Sequence, residues 1–171
     1  MHAHCRILYL PSWLLAITVL GTAPVSAQVG ASALIVRLVC INHGSTAVEP
    51  IGDGEGQSLL AAQATCQVQG GPMDGAVETQ HNLWHYDKAT GTLLSGHSVA
   101  RKPGAISTAQ ILQGMLTFQM TDGRVTGWSS SGRARTTMAV GAAAPLAGRL
   151  LNWTATASGP RSYTVQLTYD P

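Results

Sequence analysis

Two histidines near the middle of the chain have the spacing of a metal site that bridges two β-strands. A hairpin whose loop spans Asp87–Gly91 and whose last pair is Tyr86 and Thr92 would place His81 opposite His97. Directly opposed residues have Cβ atoms about 5 Å apart, so two imidazoles could share one zinc or copper ion. We therefore predict a two-histidine metal site here, with two ordinary surface histidines as the alternative interpretation.

Two further histidines differ in what they could add to this pair. His85 shares a strand face with His81, but it lies about 13 Å further along and cannot complete the same site. His43, in a predicted loop, could supply a third ligand. If His81, His85 or His97 faced a cavity, it could also act as a proton-transferring base. An enzyme of the isomerase or lyase kind is therefore one possible function.

Three tryptophans lie in segments that are rich in small side chains. Trp84, Trp128 and Trp153 fall on three different predicted strands, among Gly, Ser, Thr and Ala residues. Small neighbours leave room beside an indole, and a cavity lined by Trp suits an apolar ligand or a stacked sugar. The three tryptophans are therefore candidate ligand-binding residues. The alternative is that each of them simply fills the core.

Residues 1–27 have the three parts of a signal peptide. A short start carrying Arg6 is followed by an apolar run from Ile7 to Leu20, and Val25-x-Ala27 ends the segment with small residues. The apolar run has 14 residues, fewer than the roughly 20 that a membrane-spanning helix needs. We expect cleavage after Ala27, a secreted or periplasmic location, and membrane contact only during export.

Cleavage would remove Cys5 and leave two cysteines, Cys40 and Cys66. Two cysteines in an oxidising compartment have one way to pair. Both fall on the apolar faces of alternating segments, where a buried bridge would lie. A zinc site is the weaker interpretation, because neither cysteine has another Cys or His at close zinc spacing. The sequence therefore predicts a Cys40–Cys66 disulfide.

The charge balance of 28–171 restricts the possible partners. Of ten Lys and Arg residues, Arg6 leaves with the signal peptide, so nine remain against eight acidic residues, for a net charge near +1. This balance argues against a nucleic-acid partner, which requires clustered cations on one face. The chain carries no cofactor motif, and we expect no cofactor. A chain of this length can bury about 70% of its unfolded surface, which suits one domain.

Alternation of apolar and polar side chains dominates residues 34–170, whereas helical periodicity is almost absent. Asp122-Gly123 is typical of a tight type I′ turn, which would set Phe118 opposite Gly127 and Leu116 opposite Ser129. The alternation predicts eight strands joined mostly by short turns, at about 34–41, 60–68, 76–86, 92–101, 107–120, 124–138, 149–157 and 162–170.

Eight sequential antiparallel strands favour an all-β, up-and-down meander barrel, because closure removes exposed sheet edges. A two-sheet β-sandwich is the alternative. An outer-membrane barrel would need aromatic girdles and apolar outward faces on every strand. Polar faces such as Gln63, Thr65, Gln67 and Gln69 argue against that kind of barrel.

The leading functional hypothesis is an exported, non-enzymatic barrel that binds a hydrophobic or carbohydrate-like molecule or a surface partner protein. The second is a structural or adhesive surface subunit. It depends on the final strand, Tyr163-x-Val165-x-Leu167-x-Tyr169, which could pair with the sheet edge of a neighbouring chain. The sequence leaves the ligand and the oligomeric state open.

Overall fold

A computed structural model describes residues 33–43, 47–52 and 55–171 of this chain. The predicted signal peptide and its cleavage site lie outside these residues. The described part forms nine strands: β1 (Leu34–Asn42), β2 (Ala47–Pro50), β3 (Gln57–Gln69), β4 (Val77–Asp87), β5 (Thr90–Lys102), β6 (Ala105–Thr121), β7 (Arg124–Gly141), β8 (Leu150–Ala157) and β9 (Ser162–Tyr169). A short 3-10 turn covers Ala144–Leu146. Within these residues, no helix has the length and apolar character needed to span a membrane.

Eight of the strands form a closed antiparallel barrel, and β2 is an additional short strand. The strand order is β1-β9-β8-β7-β6-β5-β4-β3-β2, and β1 pairs with β3 as well as with β9. The pairing of β1 with β3 closes the sheet on itself, which removes the free edges that an open sheet would keep. The predicted up-and-down barrel is confirmed, and the sandwich alternative is wrong.

The short strand β2 covers the part of β3 that β1 does not reach. β1 ends with Asn42 opposite Ala64, and β2 starts with Ala47 opposite Ala61. The predicted loop His43–Gln57 therefore contains a strand of four residues. The backbone groups of β3 near this end of the barrel gain hydrogen-bond partners that the loop interpretation did not provide.

The final strand is not a sheet edge. β9 pairs with β1 on one side and with β8 on the other. Tyr163, Val165 and Tyr169 point into the barrel and are buried. The prediction that β9 could accept a neighbouring chain is therefore wrong, because barrel closure occupies both of its hydrogen-bonding edges.

A disulfide joins the two strands whose pairing closes the barrel. Cys40 of β1 lies directly opposite Cys66 of β3, and their sulfur atoms are 2.07 Å apart. Both side chains are essentially inaccessible to solvent, with exposed fractions of 0% and 1%. The predicted bridge is confirmed, and it links β1 and β3 where the sheet closes.

Side chains from the connecting loops close one end of the barrel. Met73 of the β3–β4 loop is buried, and so are Ala143 and Leu146 of the β7–β8 connection. They pack in one cluster with Leu38 and Val68 from the barrel wall. Burying a Leu, Val or Met side chain stabilises a fold by about 1.5–3 kcal/mol, so this apolar floor contributes strongly to the core.

The opposite end is open, and the β6–β7 hairpin extends beyond it. β5 begins at Thr90, which pairs with Thr117, so residues 118–128 continue past the end of β5. Leu60, Phe118 and Trp128 are only half-buried at this end. The barrel is therefore a cup, with an apolar floor and an aromatic mouth.

The tip of this hairpin has the predicted turn but a different register below it. Asp122 and Gly123 both have positive φ, 50° and 73°, as a type I′ turn requires. A bulge then leaves Thr126 unpaired, so that Phe118 pairs with Trp128. The predicted pairings of Phe118 with Gly127 and of Leu116 with Ser129 are both wrong, because a bulge adds one residue to a single strand, and Leu116 pairs with Ser130 instead.

Candidate functional site

A cavity of about 350 Å³ runs from the open end toward the floor of the barrel. Trp84 of β4, Trp128 of β7 and Trp153 of β8 all line it, because each occupies an inward position of its alternating strand. Pockets for small molecules typically measure about 300–1,000 Å³, so this cavity suits a small ligand. The structure thus brings the three predicted tryptophans together.

Two glycines make room for the indole of Trp153. Gly114 of β6 pairs with Gly132 of β7, which pairs in turn with Trp153. A Cβ added at Gly114 would lie 2.8 Å from Cζ2 of Trp153, and one added at Gly132 would lie 2.7 Å from the same atom. Real Cβ atoms do not approach other atoms so closely, so the ring position depends on both glycines.

Further aromatic rings surround the mouth of the cavity. The ring centroids of Trp128 and Tyr163 are 5.2 Å apart, and those of Tyr86 and Phe118 are also 5.2 Å apart. These separations are typical of favourable tilted aromatic pairs. The pairs place large aromatic faces beside the cavity.

Strand β4 contributes more polar side chains to the cavity than any other strand. The inward-facing residues of β4 all line it, and in chain order they are Glu78, Gln80, Asn82, Trp84 and Tyr86. Trp84 was predicted as a candidate from the sequence, and the three polar residues were not. Strand residues alternate between faces, so these residues share the face of Trp84, but the sequence did not determine that this face is the buried one.

Glu78, Gln80 and Tyr163 form a buried chain of hydrogen bonds. Nε2 of Gln80 donates to Oε1 of Glu78 at 2.8 Å, and the Tyr163 hydroxyl donates to Oε1 of Gln80 at 2.9 Å. Burial raises the pKa of Glu78, and hydrogen bonds from Gln80 and Ser98 oppose this effect. Among the described residues that line the cavity, none is Lys, Arg or His. Burial without a nearby cation therefore shifts this carboxyl group toward its protonated form.

The raised pKa of the buried Glu78 predicts that the contribution of this residue to the stability of the fold falls as the pH rises. Its folded pKa is raised above the ordinary value of 4.5, so the folded state holds this proton more tightly than the unfolded state. The stabilisation is complete below pH 4.5 and is lost as the pH rises through the folded pKa. At pH 8 we expect Glu78→Gln to raise Tm by about 3 °C or more, which is near 1 kcal/mol for a chain of this size.

Thermal unfolding followed by circular dichroism between pH 4 and pH 9 measures this effect. The difference in Tm between Glu78→Gln and the wild type should grow with pH. Glu49→Gln is the matched control, because Glu49 is exposed on β2 and its loss should leave the wild-type profile unchanged. Parallel profiles for Glu78→Gln and the wild type would contradict the prediction.

Two buried polar atoms in the cavity wall have no hydrogen-bond partner. They are Oδ1 of Asn82, which accepts hydrogen bonds, and Nε1 of Trp153, which donates them. A buried polar atom left unpaired typically destabilises a fold by about 1–3 kcal/mol. Native proteins contain few such atoms. Both residues line the cavity through other atoms, and the two unpaired atoms lie within its wall, out of contact with the cavity space.

The predicted His81–His97 pair forms on the outer surface of the barrel. The two residues are paired between β4 and β5, their ring centroids are 5.1 Å apart, and their planes differ by 13°. Tyr86 pairs with Gly91, so the turn differs by one residue from the predicted turn, and a bulge at Leu94 restores the register. The predicted pairing is confirmed because these two differences cancel.

The outer position of these histidines limits their chemistry. Within the described residues, no group of three His, Cys, Asp or Glu side chains is arranged to hold a metal ion. His43 instead makes a 2.6 Å hydrogen bond to the Thr65 hydroxyl. Metal binding by His81 and His97 stays a prediction that depends on two ligands. His81, His85 and His97 do not line the cavity. They therefore cannot act as the base on a ligand inside it, as the predicted cavity enzyme would require.

Comparison with family models, curated proteins and solved structures finds no match for this chain. The function is therefore inferred from the chemistry of the cavity itself.

Proposed function

We propose that this protein binds a small molecule inside the barrel cavity. The observation that carries the proposal is a cavity of about 350 Å³, open at one end, whose wall combines aromatic rings with the buried polar side chains of Glu78, Gln80 and Ser98. An apolar pocket with a few convergent polar groups is the usual form of a small-molecule site. The open mouth at Phe118 and Trp128 provides the entry path.

The composition of the cavity wall indicates which class of ligand the cavity suits. Aromatic and aliphatic side chains such as Phe118, Ile111 and Leu151 form much of the lining, which favours a largely apolar molecule over a sugar. An anionic ligand is disfavoured, because burying a negative charge without a cation is costly.

The cysteine bridge supports a location for this binding activity. Disulfides persist in oxidising compartments and are rare in the cytosol, and the Cys40–Cys66 pair is bonded. Together with the predicted signal peptide, this supports a secreted or periplasmic location for the protein.

Filling part of the cavity should weaken the binding of a ligand. Ala62 lines the cavity opposite Asn82, so Phe at this position would occupy ligand space. We expect phenylbutanol, a neutral aryl-alkyl probe, to change the tryptophan fluorescence of the wild type on titration. We expect Ala62→Phe to weaken this binding at least tenfold, which corresponds to about 1.4 kcal/mol.

The adjacent residue offers a matched control. Ala61 lies on the outer face of β3 and is exposed, so Ala61→Phe adds the same volume outside the cavity. This variant should bind the probe with wild-type affinity. Equal binding by both variants, or no fluorescence change in the wild type, would contradict a ligand site in the cavity.

A further inference from the structure

We propose that the ligand of this cavity carries an ammonium group, which pairs with the carboxylate of Glu78 at the inner end of the cavity. This inference rests on the proposed function and names the ligand class. It follows from the position of Glu78, the absence of a countercharge in the wall, and the aromatic residues beside it.

Glu78 lies at the inner end of the cavity. It lines both the main cavity and a void of about 20 Å³, which Val68 and Met73 of the floor also line. An ionised carboxylate has about four acceptor sites. The side chains of Gln80 and Ser98 use two of them, so the carboxyl group can still receive hydrogen bonds from a ligand.

Among the residues that the structure describes, none supplies a cation to this carboxyl group. Within the residues that the structure describes, the single ion pair joins Arg133 to Asp170 at 2.7 Å. Both side chains are about two-fifths exposed, at 42% and 38%, and neither lines the cavity. A buried carboxylate without a countercharge is strongly unfavourable, so a cationic ligand would gain from supplying one.

The aromatic lining favours the same class of ligand. Tyr163 and Tyr169 line the cavity with Glu78. Burial raises the pKa of both phenols, and the nearby Glu78 charge raises both further. Tyrosine and tryptophan rings attract cations through their electron-rich faces. A carboxylate beside phenol rings is therefore suited to an ammonium group, whereas a carboxylate or phosphate group would be repelled.

Binding would release a proton. Burial shifts the carboxyl group of the free protein toward its protonated form, and from that form the balanced step is Glu78–COOH plus R–NH3+ giving the Glu78–COO⁻/R–NH3+ pair plus H+ to solvent. The titratable groups that face Glu78 are the phenols of Tyr163 and Tyr169, and Arg149 lies 5.5 Å from the Tyr169 ring centroid. Cys66 and Ala100, opposite Glu78 on β3 and β5, do not titrate.

Three probes that differ only at one end test the inference. Phenylbutylamine, phenylbutanol and phenylbutanoate are titrated calorimetrically at pH 7 into the wild type, Glu78→Gln and Glu49→Gln. In the wild type we expect the amine to bind at least tenfold more tightly than the alcohol, and the carboxylate to bind most weakly. The amine's apparent enthalpy should differ between phosphate and Tris buffers, as proton release requires.

The variants separate this inference from the proposed function. Glu78→Gln should remove the buffer dependence and the preference for the amine, so that the amine binds no more tightly than the alcohol, and Glu49→Gln should behave as the wild type does. Alcohol binding with no preference for the amine, or a preference that survives Glu78→Gln, would overturn the ammonium assignment alone. If none of the three probes binds the wild type, the proposed function and this inference both fail.

Discussion

Gly132→Ala is expected to destabilise the barrel by about 3 kcal/mol and to displace the indole of Trp153. The added Cβ would collide with the backbone carbonyl oxygen of Gln113 and would lie 2.7 Å from Cζ2 of Trp153. A backbone carbonyl in a sheet cannot move aside without breaking ladder hydrogen bonds, so the strain cannot relax locally. Urea unfolding measures the stability, and near-UV circular dichroism reports on Trp153.

The same strand provides the control for this substitution. A Cβ at Gly127 would approach Oε1 of the Gln119 side chain, at 2.7 Å, and the end of an exposed side chain can move away. Gly127→Ala should therefore stay within about 0.5 kcal/mol of the wild type. Phenylbutanol binding should weaken in Gly132→Ala and persist in Gly127→Ala. Wild-type stability and an unchanged near-UV spectrum in Gly132→Ala would show that Trp153 does not depend on this glycine.

Replacing both Cys40 and Cys66 with Ala should lower the free energy of unfolding by about 3.5 kcal/mol. The bridge closes a loop with a sequence separation of 26 residues, so its loss increases the conformational entropy of the unfolded chain. It also joins β1 to β3, the pair that closes the barrel, and we expect this closure to become the first part to open. Far-UV circular dichroism in water should remain that of a β-sheet protein.

Reduction of the wild type provides an independent check on the disulfide. Dithiothreitol should lower the urea midpoint of the wild type toward that of the double variant and should leave the variant unchanged. Compared with the oxidised protein, hydrogen exchange in the reduced protein should accelerate most in the paired segments 37–42 and 64–69. An unchanged midpoint after reduction, or a variant as stable as the wild type, would contradict a stabilising role for the bridge.

Periodic and local signals predicted most of the fold. Alternation of apolar and polar residues located the eight barrel strands, because a strand with one buried face repeats every two residues. The turn at Asp122-Gly123 was predictable from the need for two positive φ values. The Cys40–Cys66 disulfide was predictable because these are the two cysteines that remain after removal of the predicted signal peptide, and two cysteines can pair in one way. The short strand β2 was not, because four residues carry too little alternation to distinguish a strand from a loop.

The candidate site was only partly predictable. Trp84, Trp128 and Trp153 could be identified from their small neighbours, but Glu78 and Asn82 could not be assigned to the interior. Both faces of β4 mix polar and apolar residues, with Val77 and Leu83 on one and Trp84 and Tyr86 on the other. The pattern alone therefore does not determine which face is buried.

The sequence by itself determined the strand content, the disulfide and the tight turn, because each depends on residues close in the chain or on a unique pairing. Only the tertiary structure decided which residues meet. Bulges at Leu94 and Thr126 shift the strand registers, and a shift of one residue moves every later side chain on that strand to a new partner. Both faces of β4 fit the local pattern, but a closed barrel can enclose only one of them. In the folded barrel the enclosed face is that of Glu78, and His81 lies on the outer face.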